Sequence, residues 1–404
     1  MTGGPEPAMK TTWLRRLLHE HAAVGVPLAA TFLLLRFLWH RKGTSLTVAL
    51  LGGAGFVFLF SAPPMSRQQA EPAQEPVKLP AYAVADLGTL ADHPDSGASD
   101  INDKGQVVGW SGIQYQATRG FLWQDGKLQD LGTPRGSRSA AVAINDNGHI
   151  VGWSGDNAYT CSFAFLWKSG RAQALGTLPG RTFSTATAIN SRDEITGSAY
   201  NSHQGARSSL RAFVWKNGRT TDLGTLPDDE QSAADDINNN GQIVGYSRAY
   251  NYFYGYLYQD GRMRELKGLG DGKETYASAL NNVGVAVGTS TPLRRSVYLH
   301  RACLWQVGQN DTPADLGTLG GGKSAATDIN DKGQVVGWSY IADDNRHETR
   351  AFLWQNGKMH DLNALVPPDS GWILQSAGAI NNHGQIVGVG MVNGKTRAFL
   401  LTPR

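Results

Sequence analysis

Residues 100–111 read DINDKGQVVGWS, and the same twelve letters return at 328–339. Looser copies of this string begin at Ala143, Ala188, Asp236, Ala279 and Ala379. The Ile-Asn or Leu-Asn pair of the seven copies therefore starts at positions 101, 144, 189, 237, 280, 329 and 380. Self-similarity at a spacing of this size is the mark of a repeat protein, so the fold must be built from seven similar units.

Each repeat contains four short segments in a fixed order: a DLGTL-type segment, AxxIN, QVVGWS and AFLW. Their valine, isoleucine, tryptophan and phenylalanine residues favour β-strands. Turns such as NDKG, QDGK and QNGK separate the segments, and Asn-Gly or Asp-Gly between apolar runs is typical of tight hairpins. Four antiparallel strands in a repeat of this length make one blade of a β-propeller. The sequence predicts an all-β, seven-bladed β-propeller of four-stranded antiparallel blades over 80–404.

Two segments of the repeat pattern have no partner in the adjacent sequence. Every internal AFLW-type segment is followed by a DLGTL-type segment, whereas TRAFLL at 396–401 has none after it and YAVADLG at 82–88 has no AFLW before it. Pairing the two would remove two open sheet edges, which otherwise promote aggregation. We therefore expect Tyr82 to Gly88 to pair antiparallel with Arg397 to Leu401 and to close the ring.

A periodic pairing of arginine and aspartate supports this arrangement. An arginine precedes the AFLW-type core in five repeats. In three of them it lies eleven residues before an aspartate, in a fourth it lies fourteen residues before one, and Arg397 has no aspartate after it. Two-residue hairpin turns would make the two side chains diagonal neighbours on one face. The predicted structural pairs are Arg119 with Asp130, Arg211 with Asp222, Arg301 with Asp315, Arg350 with Asp361, and across the chain ends Arg397 with Asp86. Where the arginine is absent, Phe163 and Tyr254 replace it.

The N-terminal region, 1–64, has a different composition. It contains apolar runs at 22–39 and 46–60, separated by a basic stretch that includes Arg41 and Lys42. We expect a helical membrane segment or signal anchor here, although the second run is short for a spanning helix and is also compatible with a signal-peptide core. The first run is compatible with a second span, with a membrane-surface helix, or with an extension upstream of the true start of translation.

Positive charge before an apolar run remains in the cytoplasm. We therefore expect the propeller to lie outside the cytoplasm (periplasmic, at the cell surface or secreted) and to be tethered to the membrane only through the N-terminal segment. Residues 65–79 are polar and contain proline, which predicts a flexible linker between the membrane region and the propeller.

The repeat motifs taken together (DLGTL, INDxGQVVG and AFLW) resemble the HAF repeat of extracellular bacterial proteins. The resemblance covers 82–404 and implies export and repetition, without an activity. The chain departs from the family where arginine, phenylalanine or tyrosine replaces the histidine before Ala-Phe, which argues against a ring of histidine ligands.

No catalytic, cofactor or metal motif is recognisable, so we expect no cofactor and no metal. DINNNG at 236–241 begins like a calcium loop, but Ser247 stands where that loop needs glutamate. The net charge is +3, from 37 basic and 34 acidic residues without a basic block, so no nucleic-acid partner is expected. The two cysteines, Cys161 and Cys303, do not form a disulfide framework, and Cys303 replaces a core phenylalanine.

The candidate binding surface lies at one rim of the predicted ring. In a four-stranded meander the short glycine turns share one rim, and the connections that vary in length share the other. Variable loops on a rigid scaffold tend to carry function. The variable connections contain Tyr115, Tyr159, Tyr200, Tyr250, Tyr252, Tyr298 and Tyr340. A tyrosine that only caps a strand end is the structural alternative.

These observations predict a monomeric binding scaffold for a glycan or a protein outside the cytoplasm. Two other classes remain open. One is an extracytoplasmic polysaccharide lyase or hydrolase whose site lies at the mouth of the channel. The other is a purely structural envelope component.

Overall fold

The computed structural model describes 46–48, 59–61 and most of 79–404. Within the last range the gaps are 92, 114–116, 158–160, 204–205, 251, 271, 273, 293–298, 309–311 and 343–347. The chain divides into two compact units, Met1–Val77 and Lys78–Arg404.

In the first unit, strand β1 (Leu46–Val48) pairs antiparallel with β2 (Leu59–Ser61). These strands are the two ends of the second apolar run. The remainder of that run, and all of the run at 22–39, lie outside the described residues, as does the predicted linker up to residue 78. Among the residues that the structure does describe, no helix is long and apolar enough to cross a membrane.

The second unit is a seven-bladed β-propeller, opened by β3 (Tyr82–Asp86). Blade 1 contains β4 (Ser96–Ile101), β5 (Val107–Ile113), β6 (Ala117–Gln124) and β7 (Lys127–Asp130). Blade 2 contains β8 (Arg138–Ile144), β9 (Ile150–Asn157), β10 (Cys161–Lys168) and β11 (Arg171–Ala174). Blade 3 contains β12 (Phe183–Ile189), β13 (Ile195–His203), β14 (Ala206–Lys216) and β15 (Arg219–Asp222).

Blade 4 contains β16 (Gln231–Ile237), β17 (Ile243–Ala249), β18 (Tyr252–Gln259) and β19 (Arg262–Glu265). Blade 5 contains β20 (Thr275–Leu280), β21 (Val285–Ser290), β22 (Arg301–Gln306) and β23 (Ala314–Gly317). Blade 6 contains β24 (Ser324–Ile329), β25 (Val335–Tyr340), β26 (Thr349–Gln355) and β27 (Lys358–Asp361). Two short 3-10 helices (Leu362–Ala364 and Pro368–Ser370) lead to blade 7, which contains β28 (Trp372–Ile380), β29 (Ile386–Val392), β30 (Lys395–Pro403) and the early strand β3.

The predicted hairpin turns are present, and the DLGTL-type segments form short strands, as in β7. Strand β7 ends at Asp130, because the Asp130 carboxylate accepts a hydrogen bond from the Gly132 amide at 2.7 Å and Gly132 adopts a φ of 74°. This side-chain turn takes the chain out of the sheet and towards the next blade. The following leucine, Leu131, is then buried against blade 2.

The ring closes through the two ends of this unit. Strand β3 pairs antiparallel with β30, and the register places Tyr82 opposite Pro403 and Asp86 opposite Phe399. The pairing of these two segments is as predicted, with the partner residues shifted two positions towards the C-terminus. Blade 7 therefore takes its outermost strand from the start of the propeller.

Hydrophobic clusters fill the spaces between successive blades. The cluster between blades 7 and 1, for example, joins Leu400 to Phe121, and the cluster between blades 6 and 7 includes Tyr82. Where an AFLW-type segment has phenylalanine, that side chain is buried, and Tyr256 takes the same position in blade 4. Cys303 takes the same position in blade 5 and is fully buried, as predicted. Since each blade is packed on both faces, its stability depends on both neighbours.

A closed circle of asparagine side chains surrounds the central axis. The asparagine of each INxxG-type turn (INSRD in blade 3 and LNNVG in blade 5) donates from Nδ2 to the backbone oxygen of the corresponding asparagine in the next blade, at 2.9–3.1 Å. The seven members are Asn102, Asn145, Asn190, Asn238, Asn281, Asn330 and Asn381. Each is 3–5% exposed. The bond from Asn381 to Asn102 completes the circle across the two ends of the propeller, so the closure has a second component besides β3.

Deleting residues 80–90 from the full-length chain tests the closure. The deletion removes β3 and two buried side chains, Tyr82 and Leu87, and it opens an edge of β30. Since truncating one large buried side chain costs about 2–5 kcal/mol, we expect the free energy of unfolding to fall by at least about 5 kcal/mol. Urea denaturation followed by tryptophan fluorescence measures the change.

The control is an equally long deletion, 66–76, in the polar segment before the propeller. An unfolding free energy that is the same for the two deletions would contradict the role of β3 in closing the ring.

Candidate functional site

The two rims of the propeller differ in the way the sequence predicts. The short-turn rim carries the connections between first and second strands and between third and fourth strands, such as the turn at Asp125 and Gly126, which both have positive φ. The variable rim carries the connections between second and third strands and those from one blade to the next. Each rim contains a candidate site.

On the short-turn rim the central channel opens into a cavity of ≈ 180 Å³. Three successive residues of each turn line this cavity. The first is isoleucine or leucine, the second is the asparagine of the circle, and the third is aspartate, asparagine or serine. This last position forms a second circle, in which its amide donates to the side chain of the next blade, as from Asn382 to Asp103 at 2.8 Å. Ser191 in blade 3 interrupts it, since serine replaces the carboxylate or amide there. The sequence pattern indicates turns at these positions but does not show that they meet around one axis.

Three carboxylates lie deeper in the channel wall, and sequence reasoning missed them. Asp100 accepts hydrogen bonds from the amide of Ile101 in its own blade and from that of Ile144 in the next, at 2.7 and 2.8 Å. Asp236 and Asp328 do the same in blades 4 and 6. Together the three carboxylates accept hydrogen bonds from the inner strands of six blades, in the pairs 1 and 2, 4 and 5, and 6 and 7. The inner strand of blade 3 is not part of such a pair. Their first effect is therefore structural, since each ties two neighbouring inner strands together.

Burial in the channel wall raises the pKa of these carboxyl groups, despite the amide donors that favour the ionised form. The pKa of Asp100 and that of Asp236 rise to about 6, and that of Asp328 rises to about 7. Asp235 lies beside a β-bulge in β16, and its pKa rises to about 7 because it is buried and because Asp236 is next to it. The channel therefore takes up protons close to neutral pH.

The predicted tyrosines of the variable rim occupy different environments. Tyr115, Tyr159 and Tyr298 lie outside the described residues. Tyr200 differs from the prediction: it is fully buried, and its hydroxyl shares a hydrogen bond of 2.6 Å with Ser162, so it does not contribute to an exposed rim.

The other three tyrosines reach the surface to different extents. Tyr250 and Tyr252 are 82% and 57% exposed at the tip of the β17–β18 hairpin. Tyr340 is partly exposed beside Trp338, with 5.6 Å between the ring centroids. Among the described tyrosines of the predicted surface, those at the β17–β18 tip are therefore the most exposed.

The predicted ion pairs form in four cases. The side chains of Arg119 and Asp130 approach to 2.5 Å, those of Arg301 and Asp315 to 3.1 Å, those of Arg397 and Asp86 to 3.8 Å, and those of Arg211 and Asp222 to 4.0 Å. Arg350 differs, since it lies 3.7 Å from Glu348. Its expected partner, Asp361, caps a 3-10 helix and accepts hydrogen bonds from Asn363. Pairs as exposed as these contribute little stability, about 0–1 kcal/mol each.

Two aromatic clusters on the variable rim were not predicted. Phe163 and Phe183 meet edge to face at 5.5 Å between blades 2 and 3, and Arg135 stacks over Phe163 at 3.6 Å from the ring centroid. The only sequence signal was that phenylalanine replaces the periodic arginine at 163.

The second cluster lies between blades 4 and 5. Tyr246, Phe253 and Tyr276 form a triangle with sides of 4.7–5.6 Å, and the guanidinium of Arg248 lies 5.0 Å from the ring of Phe253. Each cluster thus joins partly exposed rings from two blades to an arginine.

A histidine and a glutamate also meet on this rim. The Thr291 hydroxyl is 3.5 Å from both Glu274 Oε2 and His300 Nδ1, and burial lowers the pKa of His300. Thr291 is buried, so its hydroxyl is not placed to meet a substrate. Within the described part of the chain, no group of three or more histidine, cysteine or acidic side chains is arranged to hold a metal ion.

The chain has limited similarity to known proteins. A family model described as a protein of unknown function (DUF3466) matches residues 270–399, which is less than half of the chain. No curated protein matches.

Three of the solved structures with similarity to the chain illustrate its extent. The β-propeller domain of the Trilobed protease from Pyrococcus furiosus is 9% identical, with a TM-score of 0.43 over 78% of this chain and 94% of that one. TolB from Acinetobacter baumannii is 11% identical, with a TM-score of 0.41 over 78% and 65%. Pyrococcus horikoshii acylaminoacyl peptidase is 10% identical, with a TM-score of 0.46 over 75% and 52%. Similarity at this level carries no functional information.

Replacing Asp235 by asparagine tests the protonation of the channel. The folded-state pKa of about 7 lies above the ordinary value of 3.8, so protonation of Asp235 stabilises the fold at low pH, and this contribution is lost as the pH rises through 7. We expect Asp235→Asn to raise the melting temperature at pH 8 and to raise it by less at pH 5, because at pH 5 the wild-type carboxyl is still protonated in the folded protein although it is already ionised in the unfolded chain.

Thermal melts of both proteins between pH 5 and pH 8.5 measure the difference. Asp369→Asn, at an exposed position, is the matched control. An equal shift for Asp235→Asn at pH 5 and pH 8 would show that the carboxyl does not titrate in this range.

Proposed function

We propose that the protein is an exported or membrane-tethered β-propeller that serves as a binding scaffold for a glycan or a protein outside the cytoplasm. The ligand contacts the variable rim, and the tip of the β17–β18 hairpin is central to the contact. The observation that carries this proposal is the combination of exposure and backbone conformation at Tyr250.

Tyr250 occupies a position that does not suit its side chain. Its φ is 51°, in the left-handed region, where an L-residue is disfavoured by about 1–2 kcal/mol and where glycine or asparagine is usual. The ring is 82% exposed, so packing does not compensate for this cost. A strained and exposed aromatic residue is better explained by contact with a ligand than by folding.

The surroundings of Tyr250 hold the hairpin tip in place. Arg248 donates from Nε to the backbone oxygen of Tyr250 at 2.7 Å, while its guanidinium lies near the ring of Phe253. Tyr252, on the other side of the turn, adds a second exposed ring. Flat rings with polar tips, supported on a rigid blade, suit both the apolar faces of sugars and the surfaces of proteins.

Export is supported by the sequence before the propeller. Arg41 and Lys42 precede the apolar run at 46–60, and such charges remain in the cytoplasm. The resemblance to the HAF repeat also implies export. Two alternatives differ from this proposal in what they do to a ligand. An enzyme acting on polysaccharides releases products, whereas a structural envelope component has no soluble or polymeric ligand.

Fusing alkaline phosphatase to the C-terminus of the full-length chain tests the location. The reporter needs disulfides, which form outside the cytoplasm, so we expect the fusion to be active in cells. A fusion at residue 43, before the second apolar run, is the control and should be inactive. An inactive C-terminal phosphatase, combined with an active β-galactosidase at the same site, would place the propeller in the cytoplasm.

A double substitution, Tyr250→Asn with Tyr252→Ser, tests the binding surface. In a screen of immobilised glycans and envelope proteins with the full-length chain, we expect the variant to lose about tenfold or more in affinity for the captured ligand, the effect of losing about 1.4 kcal/mol. Tyr250→Asn alone should stabilise the fold by about 0.5–1 kcal/mol, because asparagine tolerates the left-handed conformation better than tyrosine does.

Val283→Ser is the matched control, since Val283 is 67% exposed on the short-turn rim. Loss of binding in this control as large as that in the tyrosine variant would contradict the assignment of the variable rim. Release of reducing ends from a captured glycan would favour the enzymatic alternative.

A further inference from the structure

The cations on the variable rim are placed over aromatic rings. Arg135 belongs to the connection between β7 and β8. Its guanidinium stacks on the ring of Phe163 in β10 of blade 2, at 3.6 Å from the ring centroid. Arg248 ends β17 and lies 5.0 Å from the ring of Phe253 on β18. A third combination places Lys323 5.6 Å from the ring of Tyr340. These contacts lie in different blades, so the same chemistry recurs around one rim.

The two arginines have no carboxylate partner. Among the described residues, neither Arg135 nor Arg248 forms an ion pair, in contrast to the arginines that pair with Asp130 or Asp315 on the same propeller. A guanidinium stacked on a ring keeps its N–H donors in the plane, where they are free to bind a second group. That plane suits two parallel hydrogen bonds to a carboxylate or a sulfate.

Aromatic rings beside each arginine provide an apolar surface on which a sugar ring can pack. Phe183 stands edge to face with Phe163 beneath Arg135, and Tyr246 and Tyr276 surround Phe253. The C–H face of a pyranose packs on such rings, whereas its acidic substituent lies at the edge of the sugar, where an arginine reaches it. Each arginine-aromatic cluster therefore matches one acidic sugar unit.

We infer that the variable rim binds an acidic polysaccharide, with carboxylate or sulfate groups held by Arg135 and Arg248 and sugar rings packed on the adjacent aromatic side chains. This inference rests on the proposed binding function and narrows its ligand. A polymer is favoured over a single sugar because the clusters lie in different blades, and one chain that engages two of them gains affinity through effective concentration.

The surrounding charges argue against a nucleic acid. Glu230 and Glu274 lie on the same rim as Arg248, and Asp156 accepts a hydrogen bond from Ser137 close to Arg135. A densely charged phosphate chain needs clustered basic side chains without such acids. An acidic polysaccharide, with about one charge on each sugar, places its anions at the arginines and leaves the acidic positions facing neutral parts of the sugar.

Binding of the full-length chain to two matched pairs of polymers tests the inference. The first pair is polygalacturonate and its fully methyl-esterified form, and the second is chondroitin sulfate and desulfated, carboxyl-methylated chondroitin. We expect the acidic member of at least one pair to bind about tenfold or more tightly than its neutral form, because hydrogen bonds between an ionised donor and an ionised acceptor are the stronger ones; a tenfold change corresponds to about 1.4 kcal/mol. Raising the salt concentration should weaken this binding.

Substitutions of the two arginines locate the effect. Arg135→Gln and Arg248→Gln should each weaken binding of the acidic polymer by about five- to tenfold, and Arg→Lys at the same sites should retain part of it, because lysine keeps the charge but not the planar fork. Arg171→Gln, at an exposed arginine on the short-turn rim, is the control and should bind like the wild type. Melting temperatures of all variants identify any loss that is due to unfolding.

Each alternative outcome has a definite meaning. Equal binding to the acidic and neutral members of both pairs would overturn the inference but leave the proposed function intact if the binding still depends on Tyr250 and Tyr252. Single-stranded DNA that binds as tightly as the acidic polysaccharide would also overturn it, since the site would then select polyanions in general. If the salt dependence of the wild type is absent, the arginines do not pair with the ligand.

Discussion

One hydrogen bond, repeated seven times in a closed circle, constrains the whole propeller. The side-chain amide of each INxxG asparagine donates to the backbone of the next blade, while its oxygen accepts amide hydrogens from its own turn, as Asn238 does from Asn240 and Gln242. A buried amide that loses such partners costs about 1–3 kcal/mol for each unsatisfied group. Every repeat must therefore keep the asparagine and the tight turn that presents it. This requirement explains why the short-turn rim is the more uniform of the two, whereas the connections on the opposite rim differ in both length and composition.

The fold could be predicted because its determinants are local and periodic. The turns, the strand segments and the unpaired terminal segments are all visible in the sequence, and the antiparallel pairing of β3 with β30 follows from them. The site could be predicted only in part, because it depends on contacts between blades. The sequence shows only that phenylalanine replaces the periodic arginine at 163. The contact of Phe163 with Arg135, which lies in the connection between β7 and β8, appears only in the structure.

Other departures have similar causes. Tyr200 stands in a variable connection, yet its hydroxyl finds a buried partner on the neighbouring blade in Ser162, so loop position alone did not fix its exposure. The spacing of Arg350 and Asp361 is the same as in blades 1 and 3, but the 3-10 helix that follows Asp361 takes over its carboxylate. A capping interaction of this kind depends on Asn363, which replaces the glycine of the DLGTL-type segment in this repeat.

The distribution of ionisable groups gives the two parts of the molecule separate roles. The channel carboxylates join inner strands through backbone amides, and burial moves their pKa values towards neutrality, so they belong to the scaffold and make its stability depend on pH. The unpaired arginines lie on the variable rim, where they are available to a ligand. A titration of stability thus reports on the channel, whereas the effect of salt on binding reports on the rim.

Blade 4 shows how the scaffold permits specialisation. Its INNNG turn keeps Asn238 in the circle, with bonds of 3.0 and 3.1 Å to the neighbouring blades. Towards the variable rim, in contrast, tyrosine replaces the usual tryptophan at 246 and the periodic arginine at 254, and the strained Tyr250 forms the hairpin tip. The asparagine circle fixes one end of this blade to its neighbours, as in the other blades. Folding therefore does not require the tyrosines that replace the usual repeat residues at the other end. The side chains that make it are therefore the ones whose chemistry is best explained by what they bind.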